Sequence, residues 1–73
     1  MANLSVYHDP DGRTLTVWFD DPRTEHTCEE TGDEIVLMKD RAGHVIGFEK
    51  LNYPGTKREP VKISYEQLAQ AGK

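Results

Sequence analysis

The sequence predicts an α+β fold: a four-stranded antiparallel β-meander with strand order 1-2-3-4, followed by a short C-terminal helix. Residues 4–19 and 34–51 each contain two apolar or β-branched runs separated by turn residues, which is typical of β-hairpins. Ser64 is followed three positions later by Gln67, and this capping-box pattern predicts the start of a helix.

The first hairpin surrounds the turn residues 9–12, Asp-Pro-Asp-Gly. Residues 4–8 alternate between apolar and polar side chains, and residues 14–19 are rich in β-branched and aromatic ones. Proline presets the backbone angle of such a turn, and glycine tolerates a positive φ. Residues 20–23 end the second strand. The polar stretch 25–30 is interpreted as a short edge strand or an irregular connection.

The second hairpin joins strands predicted over residues 34–38 and 44–51 through a turn at residues 40–43. A strand or helix is then expected in the tail, residues 57–71. A helix of about two turns is too short to be stable alone, so it is expected to dock Leu68 and Tyr65 on the sheet.

Turn lengths predict which side chains share a face, because directly opposed residues in a hairpin point the same way. Closing the two turns as four-residue loops pairs Val6 with Leu15 and Leu37 with Ile46. One face, the aliphatic face, then carries Leu4, Val6, Leu15, Val17, Phe19, Ile35, Leu37, Ile46 and Phe48. The opposite face, the mixed face, carries Tyr7, Thr16, Trp18, Val36, Met38, Val45, Gly47 and Glu49.

One short helix can cover only one face, so the mixed face is predicted to meet another protein, first of all a second copy of this chain. Large contiguous apolar patches seldom stay exposed on a monomer. Gly47 leaves room for a large ring inside its strand, and Trp18 is the expected ring. The predicted interface is Tyr7, Trp18, Val36, Met38, Val45, Gly47 and Glu49, with Trp18 as the main contact residue.

Composition indicates a single soluble domain over residues 1–73. The net charge of −4 opposes nonspecific attraction to nucleic-acid phosphates. Cys28 is the only cysteine, which excludes a disulfide within the chain and favours a cytoplasmic location. The sequence has no apolar run long enough to span a membrane, and its first five residues do not resemble a signal peptide.

Four segments carry a resemblance to a known family: Tyr7–Asp11, Leu15–Val17, Ile35–Leu37 and Asp40–Glu49. Over about residues 4–52 the chain resembles the DUF2283 family of small bacterial and phage proteins. Its most recognisable part is the turn with Gly43, Gly47 and Glu49. The chain departs from the family pattern at Arg13 and Met38, where such proteins tend to have Asp. The resemblance implies a small β-rich domain of no established activity, with an antitoxin-like role as one expectation, since relatives look like partners of toxin-like proteins.

Metal chemistry is not favoured by the sequence, and no metal or cofactor is expected. Residues 9–12 begin like a calcium loop, but an apolar strand occupies the positions where further ligands would follow. His26 and Cys28 could provide two ligands from one extended segment, whereas zinc requires three or four. His8 and His44 lie beside different turns.

Catalysis is also not favoured. Cys28 would need a base such as His26 to act as a nucleophile, but residues two apart in a strand point side by side. Glu49 could serve as the general base of a small hydrolase if it were buried, and a partly exposed strand glutamate is the favoured interpretation.

The sequence therefore predicts a non-enzymatic protein-interaction module. The alternative is a single-stranded nucleic-acid binder. It would stack bases on Tyr7 and Trp18 and hold phosphates with the basic tail residues Lys57, Arg58 and Lys62. The negative net charge and the lack of an RNA-binding motif weigh against this alternative.

Overall fold

The structure, a computed structural model, describes residues 3–56, 58–59 and 61–68. Within these residues the fold is nearly all-β, with one five-stranded antiparallel sheet and a single 3₁₀ turn at Pro22–Thr24. The strands are β1 (Ser5–Asp9), β2 (Thr14–Trp18), β3 (Thr27–Glu30), β4 (Ile35–Lys39) and β5 (Val45–Lys50). Their order across the sheet is β1-β2-β5-β4-β3.

The predicted four-stranded meander is wrong in strand number and in order. β5 lies between β2 and β4. β2 therefore pairs with β5, the last strand of the chain, instead of with the strand predicted over residues 34–38. Thr27–Glu30 forms a fifth strand at the sheet edge, which was one of the two interpretations of residues 25–30. All four of its residues are exposed. A strand with no buried face has no apolar alternation in its sequence, so this strand gives no periodic signal.

The predicted C-terminal helix is also wrong. Residues 61–68 contain no helix, and Tyr65 and Leu68 are 81% and 79% exposed instead of docked on the sheet. A capping box expresses a local preference only, and a helix of about two turns needs tertiary packing to persist. Residues 57, 60 and 69–71 of the predicted tail lie outside the described residues.

In the β1–β2 hairpin the register differs from the predicted one, but every side chain still lies on its predicted face. Its loop spans residues 10–13 instead of 9–12, because the Asp9 carboxylate accepts hydrogen bonds from the N–H groups of Asp11 (3.0 Å) and Gly12 (3.1 Å). Val6 therefore lies opposite Val17 instead of Leu15. A shift of two positions preserves the alternation of side chains, so each residue keeps its predicted face.

The β4–β5 turn is organised by Asp40 in a similar way. Its carboxylate accepts hydrogen bonds from the N–H groups of Ala42 (3.0 Å) and His44 (2.9 Å). The bond from His44 is the main reason why the pKa of Asp40 lies below its ordinary value. A β-bulge lies at Met38/Lys39, just before this turn in the chain. Leu37 pairs with Phe48 instead of with Ile46.

The register confirms the division into an aliphatic and a mixed face except at Val45, which lies opposite Lys39 beyond the β-bulge. One row across the sheet joins Val6, Val17, Phe48 and Leu37, and the next row, on the other face, joins Tyr7, Thr16, Glu49 and Val36. Among the apolar side chains of the described residues, only Met38 (4% exposed) and Ile46 (2%) are buried. The sheet therefore forms a single layer with a thin core.

The C-terminal segment, defined as the described residues from 53 to 68, lies on the β1 side of the aliphatic face, from His8 to the groove that Ile63 and Tyr65 line with Leu4. The Tyr53 ring meets the His8 ring edge-on at a centroid distance of 6.1 Å. Gly55 has φ 137°, and a Cβ there would lie 2.7 Å from His8 Cε1 and 2.9 Å from Val61 Cγ2. Glycine at this position allows the segment to approach the His8 ring closely.

We predict that Gly47→Ala destabilises the fold by about 2 kcal/mol or more. The new Cβ would lie 2.6 Å from the backbone oxygen of Val17 and 2.8 Å from Trp18 Cε3. The measurement is urea unfolding. Gly12→Ala is the control, because its Cβ would meet only the Asp9 carboxylate in an exposed turn. Equal losses for the two variants would contradict the close packing.

We predict that Arg13→Asn stabilises the fold by about 0.5–1 kcal/mol, because Asn tolerates the left-handed region better than Arg. Arg13 adopts φ 59° at the end of the β1–β2 loop. Arg13→Val removes the same charge but adds a β-branched side chain, so urea unfolding should show the opposite sign. Two changes of the same sign would contradict this explanation.

Candidate interaction surface

The centre of the mixed face is built from three directly opposed residues on neighbouring strands: Trp18 on β2, Gly47 on β5 and Met38 on β4. The Trp18 ring lies against the Gly47 backbone, since a Cβ at Gly47 would be only 2.8 Å from Trp18 Cε3. This confirms the predicted packing of a ring over the sheet glycine.

The predicted interface residues differ widely in what they expose. Met38 and Gly47 are buried within the chain, Trp18, Val36 and Glu49 are half-buried, and Tyr7 and Val45 are 60% and 42% exposed. The chain's own tryptophan thus closes part of the surface that was predicted to need a partner. A partner on this face would contact Tyr7 and the outer part of Trp18, whereas Val45 lies opposite Lys39 beyond the β-bulge.

The mixed face is acidic. By register, Asp9, Glu30 and Glu49 lie on this face, and its strand positions within the described part of the chain include no Lys or Arg. Glu49 lies opposite Thr16 on β2 and Val36 on β4. The face therefore presents carboxylates and an aromatic centre.

The aliphatic face is the more apolar of the two, and the C-terminal segment covers only part of it. Its half-buried apolar side chains are Val6, Leu15, Val17, Ile35, Leu37 and Phe48. Leu4 and Phe19 are 60% and 44% exposed. Beside them is a groove of about 550 Å³ lined by Asn3, Leu4, Val6, Phe19, Ile63 and Tyr65. The sequence predicted no partner for this face, because the C-terminal helix was expected to cover it.

Charged groups on the aliphatic face are paired within the chain. Lys39 forms an ion pair with Glu29, and Lys50 Nζ lies 3.1 Å from Glu34 Oε2. Asn52 Nδ2 also donates to Glu34 (3.0 Å), and this bond, with the one from Lys50, lowers the pKa of the Glu34 carboxyl. These charges lie around the apolar side chains and already have partners.

Cys28 lies on the exposed edge strand beside Met38. Its thiol donates a hydrogen bond to Glu25 Oε2 at 2.7 Å. This bond is the main cause of the raised pKa of the Cys28 thiol, followed by desolvation and the negative charges of Glu25 and Glu49. The raised pKa lowers the fraction of thiolate, which is the nucleophilic form of cysteine.

The other candidate chemical residues serve local structure. The Asp9 carboxylate binds backbone N–H groups of its own turn, and His44 Nδ1 lies 3.3 Å from Asp40 Oδ2. In the ranges that the structure describes, no three or more His, Cys, Asp or Glu side chains form a group suited to a metal ion. Arg58 and Lys62 are exposed, and Lys57 lies outside the described residues.

The comparisons with known proteins identify the family. The model of the family described as "Protein of unknown function (DUF2283)" matches residues 6–53. The chain belongs to the DUF2283 family. The match begins at the second residue of β1 and ends at Tyr53, so it includes β2 to β5 and all of β1 except Ser5 in this DUF2283 sheet. No curated protein and no solved structure matches the chain. The helices found in the described residues include none that is long and apolar enough to cross a membrane.

We predict that Cys28 is alkylated by iodoacetamide more slowly at pH 8 than the thiol of glutathione, because its raised pKa reduces the thiolate fraction. Glu25→Gln removes the carboxylate acceptor and its charge, so the rate should rise by about twofold or more. Glu29→Gln is the control on the same strand. An unchanged rate in Glu25→Gln would contradict the assigned cause.

Proposed function

We propose that this DUF2283 protein is a non-enzymatic protein-interaction module that acts as a homodimer. The observation that carries the proposal is the single-layered sheet. Stable domains bury an apolar sheet face against a second layer of structure. The described residues supply the C-terminal segment along the β1 side of the sheet but no α-helix or second sheet.

The exposed area is consistent with the same proposal, although part of it belongs to the exposed residues 62–68 of the C-terminal segment. The chain exposes 6185 Å², whereas a compact monomer of 8.3 kDa exposes about 4,600 Å². A standard protein interface removes about 800 Å² from each partner, and obligate homodimers remove more. A second copy is the most economical source of the missing layer, because two-fold homodimers are the commonest oligomers.

The antitoxin-like role is a narrower form of this proposal, in which the dimer binds a small toxin-like protein. It is motivated by the resemblance to DUF2283 relatives. We include a cytoplasmic location in the proposal, because Cys28 is an exposed free thiol and such thiols suit a reducing compartment. Its raised pKa supports a structural role over catalysis.

Single-stranded nucleic-acid binding is the alternative, and the structure supports it less well. One side of the Trp18 ring lies against Gly47 and is not available for stacking. The mixed face around Tyr7 and Trp18 carries carboxylates, which repel phosphates, and the whole chain has a net charge of −4.

The test is a measurement of mass and stability over a range of protein concentrations. Light scattering at micromolar concentration should give twice the 8.3 kDa mass of one chain. The midpoint of thermal unfolding should rise with concentration, because mass action stabilises a dimer. A mass of 8.3 kDa together with a concentration-independent midpoint would overturn the proposal.

A further inference from the structure

We infer that two copies meet through their aliphatic faces, packed as a two-sheet sandwich about a two-fold axis. The inference rests on the proposed homodimer and names its contact surface. It differs from the surface expected from the sequence, which was the mixed face centred on Trp18.

The aliphatic face has more incompletely buried apolar side chains than the mixed face. On the aliphatic face Ile46 is 2% exposed, six apolar side chains across β1, β2, β4 and β5 are only half-buried, and Leu4 and Phe19 are more exposed beside them. On the mixed face, Trp18 already lies over Gly47, and Met38 is 4% exposed. Burial of the aliphatic face therefore removes more apolar surface from water.

The second argument is charge. Two mixed faces in contact would bring Asp9, Glu30 and Glu49 of both copies together with no basic residue from the described strands to offset them. Like charges in contact oppose association, and each chain already carries a net charge of −4. On the aliphatic face, Lys39 and Lys50 are paired within each chain, so two copies approach without opposed unpaired charges.

The third argument concerns the sheet edges, which are the remaining route to a dimer. Pairing through β3 would align Glu29 and Glu30 of both copies, and acidic residues commonly protect an edge in this way. Pairing through β1 would join two sheets side by side but leave both aliphatic faces exposed. Neither edge supplies the second layer that the sheet needs.

The shape of the aliphatic face also suits a second sheet. The C-terminal segment occupies the His8 end, where Tyr53 and Gly55 contact the imidazole ring. The segment also reaches the groove of about 550 Å³ beside Leu4 and Phe19, which Ile63 and Tyr65 help to line, and this groove can receive side chains from the partner sheet. Aligned sheets pack about 10 Å apart, with their inner side chains interdigitated.

A matched pair of variants tests the assignment, because Leu4 and Tyr7 are both 60% exposed at the β1 edge and lie on opposite faces. Leu4→Glu should raise the dimer dissociation constant by about tenfold or more, since it places an unpaired carboxylate in an apolar interface. Tyr7→Glu should change it by less than about threefold. Sedimentation equilibrium measures both constants.

The native protein provides a second measurement that requires no variant. Trp18 is the only tryptophan and lies on the mixed face. Acrylamide should quench its fluorescence in the intact dimer, because the mixed face stays in solvent. A tryptophan that is shielded in the dimer would overturn the assignment.

The outcomes separate this inference from the proposed homodimer. A wild-type chain that is monomeric at every concentration overturns both. A wild-type dimer in which Tyr7→Glu dissociates the copies, or in which neither variant has an effect, overturns the aliphatic-face assignment and leaves the homodimer intact. Dissociation by Leu4→Glu alone, with Trp18 open to acrylamide, supports the assignment.

Discussion

The pairing of β2 with β5 is the contact on which the rest of the sheet depends. Within the described residues, it joins the β1–β2 hairpin to the unit formed by β3, β4 and β5. Gly47 allows this approach, because the Trp18 ring and the Val17 carbonyl occupy the space that a Cβ would need. The Phe19 N–H extends the pairing by donating to the Ile46 carbonyl at 2.9 Å. The strand order and the joining of the two hairpins into one sheet follow from this pairing.

One end of the sheet holds three residues in the left-handed backbone region: Arg13, Glu34 and Asn52. Each is next to a point where the chain enters or leaves a strand. Backbone hydrogen bonds hold this end together, from the Leu51 N–H to the Glu34 carbonyl (2.7 Å) and from the Tyr53 N–H to the Arg13 carbonyl (2.8 Å). These bonds offset the backbone strain, and they direct the C-terminal segment towards His8.

The polar groups of this protein mainly serve its architecture. Asp9 and Asp40 bind the N–H groups of their own turns, Glu34 joins Lys50 to Asn52, and Cys28 donates to Glu25. What such a chain can bind is determined by the exposed faces of its sheet. A protein built as one layer gains its second layer by association, so recognition and stability become coupled in it.

The sequence by itself determined the two hairpins, their turns and the division into two faces. Turn residues such as Asp9 and Asp40 act within a few positions, and alternation survives a register shift of two. Tertiary structure decided the insertion of β5 beside β2, the polar edge strand Thr27–Glu30 and the uncovered aliphatic face. These features depend on contacts between distant residues, above all Trp18 with Gly47, and on whether a short helix finds a surface to dock on. Local periodicity contains neither kind of information.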